Sequence, residues 1–314
     1  MALCLGIDTS NYTTSLALFD GERGYNTSRL LEVPKGALGL RQSEALFQHV
    51  KRLPMLFSQL REEGHLTGPV AAVGASVKPR WVEGSYMPCF LAGESQGRAL
   101  ADILGVPFFA CSHQQGHIAA AAWSAECSEW MDRPHLAWHL SGGTSELLLV
   151  EPENCSVSAR KIGGTSDISA GQLLDRTGKL LGLAFPAGKA LDELAGVGNP
   201  GERFFVKLKG LTFSLSGVEN QVKARVEQGE DPVRIARFVL DTVSDIVGRT
   251  TAAALRQYSG LPVLCSGGVA SNRRLRDSLD SSFGAAFAPP QYSTDNALGV
   301  AILTHRALNG GELI

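Results

Sequence analysis

Two histidines four residues apart, His113 and His117 in the run Ser112-His-Gln-Gln-Gly-His-Ile118, carry the most chemistry in this chain. On a helix that spacing stacks both imidazoles on one face, where neutral ring nitrogens make good donors to a transition metal. The stretch Pro107 to Cys111 reads as a short buried strand, so the pair is expected at a strand-to-helix junction, where open α/β sheets keep their ligands. Two surface histidines fallen at helical spacing are the plain alternative. A third ligand would decide between them, and Asp295 in Tyr292-Ser-Thr-Asp-Asn296 has the right chemistry. It reads either as an ordinary helix-start residue or as the third ligand. One carboxylate and two histidines would leave coordination positions open for substrate.

Two hydrolytic chemistries also have a sequence signal. Gly93-Glu-Ser-Gln-Gly97 matches the G-x-S-x-G nucleophile elbow, which needs a strand before the serine and a helix after it. Phe90, Gly93, Gly97, Leu100 and Leu104 instead fall at helical spacing, which predicts one continuous helix with Ser95 inside it. The histidine pair also resembles the zinc peptidase motif H-E-x-x-H. The place of its general base is taken here by Gln114, an amide that accepts no proton at neutral pH.

The elements that must position these residues show the same opening twice. Leu3 to Ile7 is a short apolar strand ending in Asp8-Thr-Ser-Asn-Tyr12, followed by a strand from Thr14 to Phe19. Leu136 to Leu140 is the second copy, ending in Ser141-Gly-Gly-Thr-Ser-Glu146 and followed by Leu147 to Val150. Helices are expected over 43–60 and 93–104 in the first half and over 170–183 and 233–259 in the second. This pattern predicts a duplicated α/β domain whose small-residue turns present backbone N–H groups to a phosphate, although each turn alone reads as a simple hairpin. A third turn, Gly267 and Gly268 after the buried strand beginning at Val263, leads to a helix opening near Ser271 or Asn272. Its glycines would admit a flat ring or a phosphate close to the backbone, and Asn272 would reach a ribose. A last helix is expected over 296–308.

Composition sets the outer limits. The chain has 314 residues, 44% hydrophobic, enough for two cores of ordinary size. Its formal charge is -2, so no global basic field draws it to nucleic acid, and RNA contact falls to local clusters such as Lys207 and Lys209 or Arg273, Arg274 and Arg276. The amino terminus lacks the positive flank of a signal peptide and no run reaches the about 18 apolar residues of a membrane span, which predicts a soluble cytoplasmic protein without a membrane partner. Six cysteines without C-x-x-C spacing are expected reduced, with Cys111 beside the histidine motif.

Leu5-Gly-Ile-Asp-Thr-Ser10, His113-Gln-Gln-Gly-His117, Leu140-Ser-Gly-Gly143, Asp175-Arg-Thr-Gly-Lys-Leu-Leu-Gly-Leu183, Phe213-Ser-Leu-Ser-Gly217, Ser266-Gly-Gly-Val-Ala-Ser-Asn-Arg273 and Thr294-Asp-Asn296 occur in the order of one family. Over nearly its whole length the chain resembles the tRNA threonylcarbamoyladenosine synthases (TsaD), once described as sialoglycoprotein endopeptidases. The resemblance implies an actin-like ATPase fold, two ribonuclease H-like domains around a nucleotide cleft. Residues 1–112 would form the first domain, completed by the C-terminal helix 291–314, and 113–290 the second, with a helical insertion. It also implies transfer of a threonylcarbamoyl group from its adenylate to the exocyclic amine of the tRNA adenosine beside the anticodon. His113, His117 and Asp295 would hold one divalent metal, iron or zinc. His139, Leu140, Ser141, Gly142 and Gly143 would contact the phosphate side of an adenine nucleotide or threonylcarbamoyl adenylate, and Asp175, Gly188 and Asn272 its nucleoside. Expected partners are tRNA, helper proteins of a tRNA-modification complex and a second copy of the chain.

Four departures from the family pattern stand in the substrate surround. Val77-Lys-Pro-Arg-Trp81 replaces a Gly-Pro-Gly-Leu stretch, Thr144 a histidine, Gln172 a glutamate and Glu219 a lysine. They keep open a second reading, a divergent paralogue that binds nucleotide as a scaffold, because one fold hosts many functions and the site decides.

Overall fold

Leu-Cys-Leu-Gly-Ile-Asp-Thr-Ser forms strand β1 (Leu3–Ser10), and every one of its residues is buried. A strand covered on both faces belongs at the centre of a sheet. It pairs antiparallel with β2 (Thr13–Phe19), which pairs with β3 (Gly24–Leu30). After α1 (Gln42–Glu62), β4 (Val70–Lys78) lies parallel to β1 on its other side. Helix α2 (Phe90–Leu104) then leads to β5 (Phe108–Ser112) and α3 (His113–Ser124), completing a sheet of order β3-β2-β1-β4-β5. The computed structural model describes residues 2–10, 12–33, 40–197 and 201–310; Asn11 of the first turn lies outside them.

The second half repeats the plan. Strand β6 (His135–Leu140) pairs antiparallel with β7 (Ser145–Glu153). Next come β8 (Ser156–Thr165), α4 (Ala170–Leu180), α5 (Gly188–Ala195), β9 (Leu208–Lys209), β10 (Thr212–Phe213), α6 (Ser216–Glu227) and α7 (Pro232–Gln257). Strand β11 (Val263–Ser266) then lies parallel to β6, as β4 does to β1, before α8 (Arg273–Phe283), β12 (Ala286–Phe287) and α9 (Leu298–Gly310). The second sheet runs β12-β11-β6-β7-β8-β10-β9. Trp138 of β6 is fully buried in its core and donates its indole N–H to Thr251 Oγ1 of α7 at 2.9 Å, so the ring is buried without an unpaired donor. Among the described residues no helix is long and apolar enough to cross a membrane.

By its internal contacts the chain divides into Met1–Arg133, Glu151–Ala159 and Thr294–Ile314 as one unit, and Pro134–Val150 with Arg160–Ser293 as the other. The boundary expected at residue 112 is therefore displaced, and α3 belongs to the first unit. Its cause is a close helix crossing: a methyl group on Gly299 of α9 would come within 1.7 Å of the Gly116 carbonyl oxygen of α3. Two smaller corrections concern helix ends. Helix α4 ends at Leu180 rather than 183, and Gly182 follows in the left-handed region with φ 74°. Helix α9 starts at Leu298 rather than 296, and the side chain of Asn296 accepts from Leu298 N at 3.1 Å.

Candidate metal centre and nucleotide turns

Strand β5 ends at Ser112, which caps α3. Ser112 Oγ accepts from Gln115 N at 3.2 Å and Gln115 Oε1 accepts from Ser112 N at 2.7 Å, a reciprocal capping box. The cap makes His113 the first residue of the helix and puts His117 one turn later on the same face. Helix α9, packed on α3 through Gly116 and Gly299, brings Asp295 to them. Asp295 Oδ1 lies 3.6 Å from His113 Nε2 and 3.3 Å from His117 Nε2, and the two ring nitrogens are 2.9 Å apart. A tetrahedral ion with bonds of about 2.1 Å holds its ligand atoms roughly 3.4 Å apart. The three spacings bracket that value, and two imidazoles with a carboxylate are donors suited to zinc or iron, so the residues fit a metal.

A shell of polar groups holds these three. Asp8, fully buried, accepts through Oδ1 from His113 Nδ1 at 2.9 Å and from Ser76 Oγ at 2.5 Å. Thr13 Oγ1 donates to Asp295 Oδ2 at 3.3 Å. Burial alone would push His113 down, but the neighbouring Asp8 and Asp295 carboxylates outweigh it and raise the imidazole to about 10. Burial opposes the charge on Asp295, yet His113 and His117 hold it well below the usual carboxylate range. Cys111 stands apart. Its buried Sγ lies 3.8 Å from the Ala75 carbonyl oxygen, burial pushes the thiol upward, and it is not among the clustered donors. All six cysteines are free.

The predicted nucleotide residues all fall in the second unit, His139 to Gly143 at the carboxyl end of β6 and Gly267 and Gly268 just after β11. His139 and Leu140 finish β6. The turn after them is closed by Ser141 N donating to Thr144 O at 2.8 Å and Thr144 N donating to Ser141 Oγ at 3.1 Å. Gly142 and Gly143 are exposed, and a methyl group on either would meet open space. Behind them the turn rests on the start of α4: Ser169 Oγ donates to Gly142 O at 2.6 Å, and a methyl on Gly171 would come within 2.4 Å of Ser141 O. Gly267, at φ 97°, packs on the same turn, and a side chain there would meet Leu140 O at 2.1 Å. Gly268 is open.

Asp175 Oδ1 accepts from Ala187 N at 2.8 Å and so fixes the start of α5, where Gly188 faces open space. Asn272 is more occupied than a ligand-binding role predicts. Its Oδ1 caps α8 by accepting from Leu275 N at 3.1 Å, and its Nδ2 donates to Asp192 Oδ1 of α5 at 2.8 Å, leaving one amide N–H. The turn after β6 and the turn at Gly267 and Gly268, with Asp175, Gly188 and Asn272, are thus linked through α4, α5 and α8. Sequence reasoning missed Asp8 as a partner of His113; its signal is a charged residue directly after the apolar run Leu3 to Ile7. It also missed Ser169, whose signal is the S-x-x-Q spacing to Gln172, and Asp192, which has no signal apart from the fold.

The departures have structural accounts. Gln172 closes a capping box on α4, accepting from Ser169 N at 3.1 Å, a task Gln and Glu share. Glu219 pairs with Arg176 and Lys223, each at 2.7 Å. Lys78 Nζ sits 4.1 Å from the centre of the Trp81 ring. Ser95 lies within α2, its hydroxyl on the Ala92 carbonyl at 3.4 Å, which removes the strand-turn-helix setting of a hydrolase elbow.

Two units built on one plan, each with a central strand flanked by an antiparallel and a parallel neighbour, form a two-domain actin-like fold. Solved structures agree. HypF in its phosphate- and nucleotide-bound form is 15% identical, with a TM-score of 0.63 over 98% of this chain and 47% of HypF, so the chain spans about half its length. Component A of the (R)-2-hydroxyglutaryl-CoA dehydratase of Acidaminococcus fermentans is 16% identical, with a TM-score of 0.54 and 98% of both chains covered. The family described as TsaD, tRNA N6-adenosine threonylcarbamoyltransferase, matches residues 35–302. A tRNA N6-adenosine threonylcarbamoyltransferase of Ralstonia pickettii (strain 12J) is 28% identical over 321 aligned positions, 95% of this chain and 89% of that protein. The chain belongs to the TsaD family and is a transferase.

Proposed function

We propose that this protein transfers a threonylcarbamoyl group from threonylcarbamoyl adenylate to the exocyclic amine of the tRNA adenosine adjacent to the anticodon. The observation that carries the reading is the meeting of His113 and His117 with Asp295, from distant parts of the chain, at spacings that fit one ion. These residues would hold iron or zinc, which when bound would polarise a carbonyl or phosphate oxygen of the donor. The backbone of the Ser141 to Gly143 turn and of Gly268 would bind the phosphate, where no side chain crowds the approach. Asp175 and the spare N–H of Asn272 would orient the nucleoside. The tRNA amine nitrogen attacks the carbamoyl carbon, the bond from that carbon to the phosphate oxygen breaks, AMP leaves with that electron pair, and the amine gives up one proton to solvent. Positioning suffices, so no side-chain nucleophile is required.

Helper proteins would supply the adenylate and much of the RNA grip, and the reaction belongs in the cytoplasm with its tRNA. The test is metal analysis of the purified protein together with transfer to tRNA when adenylate and helper proteins are provided. Stoichiometric metal, lost in a His113→Ala, His117→Ala double variant along with transfer, supports the reading. A metal-free protein that binds nucleotide and transfers nothing would make it a scaffold.

A further inference from the structure

We infer that Asp8 is a positioning residue of the metal centre: it fixes which nitrogen of His113 meets the ion and supplies a buried negative charge behind that ligand. The inference rests on the reading of His113, His117 and Asp295 as metal ligands. Asp8 stands on β1, far in sequence from all three, and its carboxylate has no exposure to water. A bare carboxylate in such a place is costly, so its partners reveal its use. Oδ1 accepts from Ser76 Oγ of β4 at 2.5 Å and from His113 Nδ1 at 2.9 Å, and Oδ2 accepts from Ser10 N at 3.3 Å. Asp8 therefore lies against the ring edge of His113 opposite Nε2, the nitrogen that faces His117 and Asp295. From that side it does not ligate the same ion. It instead accepts the Nδ1 proton and leaves the Nε2 lone pair for the metal, the arrangement in which a carboxylate orients a metal-binding imidazole and strengthens it as a donor.

The charges point the same way. One divalent ion on two neutral imidazoles and Asp295 keeps a net charge of +1, and Asp8 balances it through the ring of His113. Ser76 and Ser10 hold the carboxylate in place, so the imidazole is aimed before any ion arrives. Asp8→Asn keeps the shape and an accepting oxygen but removes the charge, which separates electrostatic support from packing.

The test is zinc affinity by chelator competition in wild type, Asp8→Asn and His117→Ala, with the visible spectrum of the cobalt-loaded proteins and thermal unfolding of the metal-free ones. Asp8→Asn is expected to bind zinc 10–100-fold more weakly and to shift the cobalt bands. A purely structural role would lower thermal stability and leave both unchanged. Wild-type affinity and an unshifted spectrum in Asp8→Asn, beside tight binding by wild type and its loss in His117→Ala, overturn the role of Asp8 and leave the metal reading standing. Failure of wild type to bind overturns both. If Asp8→Asn does not fold, nitrogen NMR of the zinc-loaded wild type decides: a protonated Nδ1 and metal-bound Nε2 on His113 support the inference, and the reverse overturns it.

Discussion

Adjacent glycines at the end of β11 show how different two like residues are once their surroundings are known. Gly267 has φ 97° and a side chain there would strike Leu140 O, whereas Gly268 faces open space. Gly267→Ala is therefore expected to cost about 1–3 kcal/mol of stability and to loosen the turn after β6, read as a lower unfolding temperature. Gly268→Val is expected to leave unfolding nearly unchanged and to weaken adenine nucleotide binding at least ten-fold, measured by calorimetry; unchanged binding would remove Gly268 from the site. The sequence predicts the pair only as a place of close approach, because identical residue types carry no sign of which backbone faces a neighbour. His113 and His117 were legible as neighbours for the opposite reason: the helical period alone puts the two imidazoles on one face, whereas Asp295 by itself read equally as an ordinary helix start.

Elements do the joining that residues cannot. Asp295 meets the histidine pair because α9 crosses α3 with carbonyl and glycine in contact, and a methyl on Gly299 would sit 1.7 Å from Gly116 O. Gly299→Ala must push the helices apart and is expected to lower zinc affinity more than ten-fold with all three ligands intact. Chelator competition at matched folded fraction checks this, and unaltered affinity would show that the crossing does not position the site. A second element-scale prediction concerns α1, whose buried His49 bonds Thr14 Oγ1 of β2 through Nδ1 at 2.8 Å. Burial, only partly opposed by Asp8, lowers this imidazole to about 4. The unfolded chain then binds the extra proton between about pH 6.5 and 4, so the contribution is complete above 6.5 and is lost as pH falls through 4, about 3 kcal/mol in all. His49→Gln is expected to flatten that part of the stability profile in denaturant titrations at a series of pH values. Neither crossing nor burial could be read from the sequence, where Gly116 and His49 are unremarkable members of helical runs.

At the scale of the whole molecule, the duplication was legible because the strand, turn, strand opening is local, and both sheets display it. The unit boundary was not, because α3 joins the first unit through a contact with α9, more than half the chain away. Charge behaves likewise. The sequence offers Arg273, Arg274 and Arg276 as a basic cluster for RNA, but Arg273 pairs with Asp192 at 2.7 Å, Arg274 with buried Asp241 at 2.8 Å, and Arg276 lies over the Phe287 ring at 4.8 Å. Arg203 and Arg249 share Asp245 at 3.1 and 2.7 Å. Each of the ion pairs holds a carboxylate beside its cation, so a passing phosphate finds less net positive charge there, and a total of -2 adds no long-range attraction. Exposed Lys207 and Lys209 remain as a local grip. Since affinity for nucleic acid grows with the number of phosphates neutralised, the isolated chain is expected to bind tRNA only in the non-specific range near physiological salt, about 10⁻⁴–10⁻⁶ M, with a shallow salt dependence. Fluorescence titration at several salt concentrations measures both quantities. Addition of the helper proteins should tighten binding and steepen the salt slope, because they bring the missing cations. Nanomolar binding by the chain alone, or full transfer without any partner, would defeat the dependence on helpers while leaving the metal and nucleotide assignments untouched.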